Sequence, residues 1–539
     1  MSESEYDVII VGAGAACAVI AARLTENPAL RVLLLEAGGK GRGPLFSIPL
    51  MSGVMLRAKV ANWQYRTEPE PQLQNRRIAW PRGRTLGGST AINGMVYARG
   101  LPIDFDGWAQ RGLPGWGYHD VLPLFRKSES STTGDSAFRG KGGPMAVEPA
   151  RWSHPLSDVW LEAAQQAGHK PTDDFNGANP EGVARLEYTI RKGRRESTAR
   201  AFLDPAQGRR NLKIRTGAQV ARLLLEGSRA RGVMLLDGTV LRAAREVVLC
   251  GGAINSPQLL MLSGIGPADQ LMAHGIQVLA DLPGVGANLQ DHVIVRVGHA
   301  CTQDITLDRV RRIDRAALTV ARAWLFGTGP GATFPLLAGA QLRSDPSLDT
   351  PDLKSSFLPG LTSAALRIPF IGMQAPGDSG PGFFANAFQM RPESRGALQL
   401  VSADPRRHPR IMANYLASEH DRTVMRRATR LLRDIFRQPA FDPYRGRELA
   451  PGPDVQDDSA IDAWVASIAD TCFHPVGTCR MGAEHDRMAV LDARLKVRGV
   501  EGLRVADASA MPSITSCNTA APTIMIGEKC AVMMQEDFS

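Results

Sequence analysis

Cysteine is scarce in this sequence and is not arranged to bind metal or close a disulfide framework. The seven cysteines stand at 17, 250, 301, 472, 479, 517 and 530, an odd number without one CxxC pair, so no zinc site or disulfide scaffold is expected. Such usage fits a reducing compartment. No apolar run approaches the roughly 18 residues that a membrane helix needs. An apolar strand begins within about six residues of the N-terminus, leaving no space for a signal peptide. A cytoplasmic protein without a transmembrane segment is therefore expected. An excess of positive charge is also lacking in any concentrated form. The 63 basic residues face 54 acidic ones, for a net charge of +9, and they cluster only briefly, as at 309–315 and 426–437. A nucleic-acid surface needs one face of clustered Lys and Arg with aromatics between them, so no nucleic-acid partner is expected. Internal repeats and low-complexity linkers are absent too. The 539 residues, 44% hydrophobic and 22% charged, suit two large globular domains or three to four smaller ones.

What is present is glycine, 54 residues of it, with 36 prolines, which implies many turns and close backbone approaches. Residues 7–11 (DVIIV) form a short β-branched run of the kind found in a buried parallel strand. Gly12-Ala13-Gly14 follows at once, then the small helix formers of 15–24 (AACAVIAARL), then a second strand at 31–35 (RVLLL) ending in Glu36. This is one βαβ unit whose glycine turn and helix N-terminus suit a pyrophosphate. Gly12, Gly14 and Ala15 would cradle it, and Glu36 would accept hydrogen bonds from a ribose. The third glycine position of that fingerprint holds Cys17, a larger side chain where helix and strand pack closely. A tight first turn in any doubly wound protein is the plainer reading, but strand, turn, helix, strand and acid all occur in order.

Further along, 211–225 and 232–241 are expected as hairpin strands, and 245–250 (REVVLC) as a strand running into a second glycine junction. Residues 300–390 are less periodic and are expected to be a loop-laden cover over a site, with glycine- and proline-rich stretches at 327–332 and 373–383. An amphipathic helix is expected at 423–437, with Val424, Ala428, Leu431, Leu432 and Ile435 on one face and a solvated, Arg-rich opposite face.

Four motifs carry the chemistry: 83–93 (GRTLGGSTAIN), 252–266 (GAINSPQLLMLSGIG), 473–482 (FHPVGTCRMG) and, after 503–509 (LRVADAS), 516–529 (SCNTAAPTIMIGEK). With 285–292 (VGANLQDH), Tyr97, Gly100, Asp106, 394–396, 404–405 and 414–416 in sequence order, the chain resembles the glucose–methanol–choline (GMC) oxidoreductases, which bind FAD. The ending is most similar to the bacterial alcohol and choline dehydrogenase branch.

That resemblance implies an α/β fold with a doubly wound FAD-binding domain and a second, substrate-binding domain built on a mostly antiparallel sheet. The FAD-binding part would comprise 1–154, 206–299 and 466–539, and the substrate-binding part 155–205 and 300–465. It implies His474 as catalytic base and Asn518 as its partner at the substrate oxygen. An imidazole titrates near neutral pH, and such proton transfer is typically worth about 10²–10⁴-fold. Asn518 would equally suit the cap of a helix at 519–534, whose positive end would face the flavin. Gly87, Gly88, Thr90, Asn93 and Gly94 would lie along the flavin, Val220 at the adenine, and Asp507 and Ala508 at the ribityl or pyrophosphate, with Thr519 beside them. Members that attach FAD covalently do so through a histidine just before the signature Asn. Here that residue is Ile92, so the FAD is expected to be non-covalent. Cys472 is expected to be a small buried core thiol. No metal is expected.

The implied reaction is oxidation of a primary alcohol to an aldehyde, with a dehydrogenase using a quinone or carrier favoured over an oxidase using O2. A nicotinamide-dependent dehydrogenase explains the first βαβ unit but leaves the other motifs idle, and a non-redox flavin lyase leaves His474 and Asn518 idle. A choline substrate would need acids or aromatics around its trimethylammonium. The 300–390 stretch holds few acids beyond Asp345, Asp349, Asp352 and Asp378, so an uncharged alcohol is the expectation. The sequence is silent on oligomeric state.

Overall fold

The computed structural model describes residues 6–361 and 380–539. Asp378 and most of the stretch at 373–383 lie outside the described residues. Two seven-stranded sheets organise the chain. In the first, Leu212–Thr216, Val32–Glu36, Tyr6–Val11 and the second half of Val240–Leu249 run parallel in that order. Leu503–Val505 adds a further parallel strand. The first half of Val240–Leu249 pairs antiparallel with Arg229–Leu235, which pairs in turn with Val220–Glu226. The parallel strands are buried on both faces, which is why Val8, Ile9, Ile10 and Val32–Leu35 read as unbroken apolar runs.

The helix Ala15–Leu24 covers this sheet and is itself covered by the last helix, Ala520–Phe538. Gly527 permits that contact, because a Cβ there would stand 2.7 Å from the carbonyl oxygen of Ala16. Arg23 and the fully buried Glu528 tie the two helices with an ion pair at 2.8 Å.

One departure concerns 211–225, expected as hairpin strand throughout. Gly217, at φ +69°, turns the chain after Thr216, and the Gly217 and Ala218 amides donate to the carbonyls of Gly38 and Glu36 at 2.8 and 2.9 Å. Leu212–Thr216 therefore joins the parallel sheet, and only Val220–Glu226 enters the hairpin.

The second sheet is antiparallel, in the order Arg445–Ala450, Val293–Cys301, Gly382–Gln389, Leu353–Leu358, Ala338–Leu342 and Gly182–Arg185, with Asp470–Thr471 beside Val293. Val293–Cys301 runs through the limit drawn at 299 and 300. The region 300–390 is thus not mainly loop: it supplies three of these strands and the helix Ile313–Phe326. The strands hide from a periodicity search because both their faces are buried. On one face the helices Pro155–Gln166 and Glu419–Arg437 pack over Trp160, Phe357, Phe383, Val424 and Phe436. The other face lines a cavity.

Glu419–Arg437 starts four residues before the expected helix because Ser418 caps it, accepting from the His420 amide at 3.1 Å. Five of its six arginines, all but Arg437, are ion-paired rather than merely solvated. Arg426 meets Glu419, Asp458 and Asp462, and Arg427 meets Asp345 at 2.8 Å. Among the described residues, no helix is long and apolar enough to cross a membrane.

Candidate active site

A cavity of about 870 Å³ runs from the C-terminal ends of the parallel strands to the face of the antiparallel sheet. That position and size suit a cofactor and a small substrate together. At the first end, Gly12 has φ +102°, and a Cβ there would lie 2.7 Å from the Cys250 carbonyl oxygen, so only glycine fits. Gly14 is extended, and a Cβ there would meet nothing within 4 Å, because it would point into the cavity. Ala15 lines the cavity beside it. Cys17 is buried in the tight helix–strand contact, with its thiol 3.5 Å from the Cys250 carbonyl oxygen. The site accommodates a thiol where the fingerprint has glycine.

Glu36 ends its strand at the cavity and accepts from the amides of Gly38 at 2.8 Å and Ala13 at 3.1 Å. Burial pushes its pKa up to about 7, against the pull of those two amides and Arg84. Each carboxylate oxygen retains capacity for a ribose hydroxyl. Val220 lines the cavity at the start of its strand.

In the GRTLGGSTAIN run, Gly88, Thr90, Asn93 and Gly94 line the cavity, as does Ile92, which offers no nucleophile for covalent attachment. Gly87 does not line it. Its amide donates to the Ala13 carbonyl at 2.8 Å, and a Cβ would press on Ser197 and Thr90 at 3.3 Å, so its φ of +87° serves the turn. A Cβ on Gly88 would come within 2.7 Å of the Gly14 Cα, so the two glycine turns meet backbone to backbone. The buried Arg195 donates to the carbonyls of Thr90 and Asn93 and to Asn93 Oδ1, at 3.1, 2.7 and 2.8 Å.

Asp507, which follows Leu503–Val505, joins this run to the second glycine junction. Oδ2 accepts from the Gly252 amide and the Ser256 hydroxyl at 2.8 and 2.6 Å, and Oδ1 from the Ser509 amide at 2.7 Å. Ala508, Thr519 and the first residue of Ala520–Phe538 also line the cavity, presenting the positive end of a 19-residue helix to it. Open space at Gly14, an acid at the end of the second strand, and two helix N-termini together fit FAD.

At the other end stands His474, only 8% exposed. Asp291 holds its amide at 2.6 Å and is itself held by Tyr415 and Thr471. The ring is fixed by a hydrogen-bond chain whose direction can be worked out. His292 Nε2 lies 2.8 Å from the Met390 carbonyl oxygen, which can only accept, so Nε2 carries the proton. Burial pulls the His292 pKa down to about 3, so its Nδ1 is bare. The Nδ1 atoms of His292 and His474 are 2.9 Å apart, so His474 Nδ1 donates. His474 Nε2 is therefore bare and accepts from Asn518 Nδ2 at 3.1 Å. Asn518 Oδ1 in turn accepts from the Lys354 ammonium at 3.0 Å, which sets the orientation of the amide. Burial first, and the Arg82 and Lys354 cations after it, hold the His474 pKa well below the usual imidazole value. Asn518 caps no helix, because its amide is spent on His474 and Lys354. Cys472 is only partly buried and lines the cavity, so it is not a core thiol: its strand pairing with Val293–Cys301 ends at Thr471.

Sequence reasoning named His474 and Asn518, which the structure brings together, but not His292 and Lys354, which hydrogen-bond to them, nor Arg296, which lines the cavity. His292 closes the VGANLQDH run. Lys354, 2% exposed, is a lone cation in a strand of otherwise neutral residues, and that contrast was its only signal. Phe334, Phe384 and Phe388 bring to the cavity wall an aromatic presence that the 300–390 stretch did not announce.

Comparisons with known proteins agree with this geometry. Family models described as GMC oxidoreductase match residues 6–294 and 392–527. An oxygen-dependent choline dehydrogenase of Brucella anthropi is 44% identical over 530 residues, covering 98% of this chain and 95% of that protein. One from Pseudomonas syringae pv. syringae is 46% identical over 542 residues, covering 98% and 93%. Among solved structures, pyridoxine 4-oxidase from Mesorbium loti superimposes with a TM-score of 0.87 at 32% identity over 99% of each chain. Formate oxidase of Aspergillus oryzae gives 0.91 at 27% identity, over 100% of this chain and 99% of the other. With both halves matched in order around one cavity, the chain belongs to the GMC oxidoreductase family and is an FAD-dependent oxidoreductase acting on CH–OH donors.

Proposed function

We propose that this enzyme converts a primary alcohol to an aldehyde with His474 as the base and Asn518 as the group that holds the substrate oxygen. The observation that supports this reading is the chain from Met390 through His292, His474 and Asn518 to Lys354, which leaves His474 Nε2 unprotonated at the cavity wall, with the Asn518 amide on its lone pair. Gly12, Gly14, Ala15, Glu36, Gly88, Thr90, Asn93, Gly94, Val220, Asp507, Ala508 and Thr519 would hold FAD without a covalent bond, with Gly87 shaping the turn. When bound, FAD supplies a hydride acceptor at its N5 atom.

In the free protein, the Asn518 amide occupies the His474 lone pair. A substrate hydroxyl would take that place, donating its proton to Nε2 while the Asn518 amide donates to the hydroxyl oxygen. Taking up the proton makes the ring an imidazolium, whose Nδ1–H then leans on the bare Nδ1 of His292. Asp291 and Tyr415 hold the His474 backbone through this change. The low pKa keeps the base neutral and available at pH 7.

We assign the FAD-binding part to 1–154, 206–299 and 466–539 and the substrate-binding part to 155–205 and 300–465. The seven free cysteines support a reducing, cytoplasmic setting. The electron acceptor we favour is a quinone or carrier, as in a dehydrogenase. A second reading, O2, is favoured by the words "oxygen-dependent" in the names of the bacterial relatives and "oxidase" in those of the solved neighbours.

The test is the visible spectrum of the purified protein, recorded without air before and after adding primary alcohols. Bleaching of the flavin bands is expected, and no bleaching by any alcohol overturns the reading. Recolouring on admission of air at a rate that matches turnover identifies O2 as acceptor; slow recolouring that a quinone accelerates identifies a dehydrogenase.

A further inference from the structure

The substrate end of the cavity is floored by side chains arranged in cross-strand rows. Strand register sets Ile294, Phe388 and Lys354 in one row and Arg296, Asn386 and Ser356 in the next, on the face that lines the cavity. Opposed side chains in such rows have Cβ atoms about 5 Å apart, so the two rows make one continuous patch.

Two cations sit in that patch without counter-charges. Lys354 is buried, and its hydrogen-bond partner is the neutral Asn518. Arg296 lines the cavity from two strands away and, among the described residues, forms no hydrogen bond or ion pair. Neither carboxylate at this end of the cavity forms an ion pair with them: Asp308 pairs with Arg311 at 3.3 Å and accepts from Thr306, and Asp470 accepts from the Thr471 amide at 2.8 Å. Burial lowers the Lys354 pKa, and the groups that oppose this are the Cys517 and Cys472 thiols rather than a carboxylate. A buried, unpaired charge is costly to keep and persists where a ligand supplies its partner.

Resting on the reading of this site as an alcohol oxidase or dehydrogenase, we propose that its substrate is a hydroxy acid, whose carboxylate is bound by Lys354 and Arg296. Lys354 is one side chain away from the base: its ammonium meets Asn518 Oδ1, and Asn518 Nδ2 meets His474 Nε2. A carboxylate taken up by Lys354 thus brings a hydroxyl of the same small molecule to His474. Asn386 and Ser356 supply uncharged polar contacts beside the carboxylate. The trimethylammonium of choline would meet Lys354 instead, a like charge in a buried site. This sets the chain apart from what its bacterial relatives are named for, and replaces the uncharged alcohol expected from sequence with an anionic one. The carbinol gives up a hydride and a proton as in any alcohol, and the carboxylate is left unchanged.

The experiment mixes the FAD-loaded protein, without air, with 4-(hydroxymethyl)benzoate and 3-hydroxypropanoate, with their uncharged counterparts benzyl alcohol and 1-propanol, and with choline. At least one hydroxy acid is expected to bleach the flavin with a second-order rate constant 100-fold above its counterpart, with choline slower than both. Calorimetry with benzoate and propanoate, which cannot be oxidised, reads the anion site separately. Lys354→Met is expected to weaken their binding at least 30-fold and to bring the hydroxy-acid preference to within about threefold. Arg296→Met shows the same trend if Lys354→Met does not fold. Faster bleaching by choline or by an uncharged alcohol overturns this proposal and leaves alcohol oxidation standing. Failure of every alcohol to bleach the flavin, with Lys354-dependent carboxylate binding intact, overturns the alcohol reading and keeps the anion site. Equal losses of charged and uncharged substrates in Lys354→Met also overturn the proposal, since they assign Lys354 to holding Asn518 alone.

Discussion

His292 and His474 face each other through their Nδ1 atoms at 2.9 Å, and the proton between them belongs to His474. The Met390 carbonyl decides this from the far side of His292, so a main-chain oxygen just past the strand Gly382–Gln389 fixes which nitrogen of the base is unprotonated.

Replacement of His474 by alanine removes the base and leaves the glycine turns that would hold the cofactor. His474→Ala should retain FAD and lose about 10²–10⁴-fold in the rate of flavin reduction by alcohol. Anaerobic stopped-flow measures the rate, and the visible spectrum of the purified variant measures the FAD. Rapid reduction in this variant would falsify the assignment of the base.

His292→Leu takes away the acceptor of the His474 Nδ1 proton. Leaving that donor buried and unpaired costs roughly 1–3 kcal/mol, so kcat should fall about 10–100-fold. The sign of the pH effect follows from the electrostatics. His474 must be neutral to act, so activity is lost as pH falls through its pKa. With its pKa near 3, His292 is uncharged in the working pH range and acts on His474 as the acceptor of the Nδ1 proton, a bond that strengthens when the ring becomes an imidazolium. Its removal should therefore move the acid limb of the kcat/KM profile to lower pH, a change that simple loosening of the fold would not produce.

Gly12 and Gly14 make a paired test of the cofactor turn. Gly12→Ala forces a side chain into φ +102° and against the Cys250 carbonyl, so the flavin-free protein should unfold several degrees lower. Gly14→Ala meets no protein atom within 4 Å, so the melting temperature of the flavin-free protein should not change. Its methyl group instead enters the cofactor space and should cut FAD occupancy. Calorimetric melting and the ratio of flavin to protein absorbance separate the two outcomes.

Glu36 gives a stability that depends on pH. Its folded pKa of about 7 lies above the ordinary 4.5, so its stabilising contribution is complete below pH 4.5 and is lost as pH rises through 7. The loss amounts to about 3 kcal/mol. Melting curves of flavin-free Glu36→Gln between pH 5 and 8 should therefore be flatter than those of the parent, and identical curves would remove Glu36 from the account.

The FAD half of the fold was legible because its signals are local. A buried parallel strand, a positive-φ glycine and an acid at the next strand end lie within one βαβ unit, so residues 7–36 showed their strand, turn, helix and strand in order. His474 was legible through its motif. Lys354 was not, because its meaning depends on the register of three strands drawn from 293–389, and a lysine between Leu353 and Ser355 reads as an edge or a loop. Asn518 was read as a possible helix cap for a related reason: local sequence offers a cap wherever Asn precedes a helix, and only the tertiary partners His474 and Lys354 show where its amide goes. Gly87, expected along the flavin, stands one residue back from the cavity wall, and Cys472, expected in the core, stands on it, since adjacent residues in a turn or at a strand end face opposite surroundings.

The strand Leu353–Leu358 divides its residues by parity. Lys354, Ser356 and Leu358 face the cavity, while Leu353 and Phe357 belong to the apolar layer under the two covering helices. Cavity-lining positions and sheet-packing positions are therefore interleaved and separate along this strand. A lineage can exchange the even-numbered residues to reach new substrates while the odd-numbered ones keep the sheet anchored, so that substrate range can drift across the family on an unaltered frame.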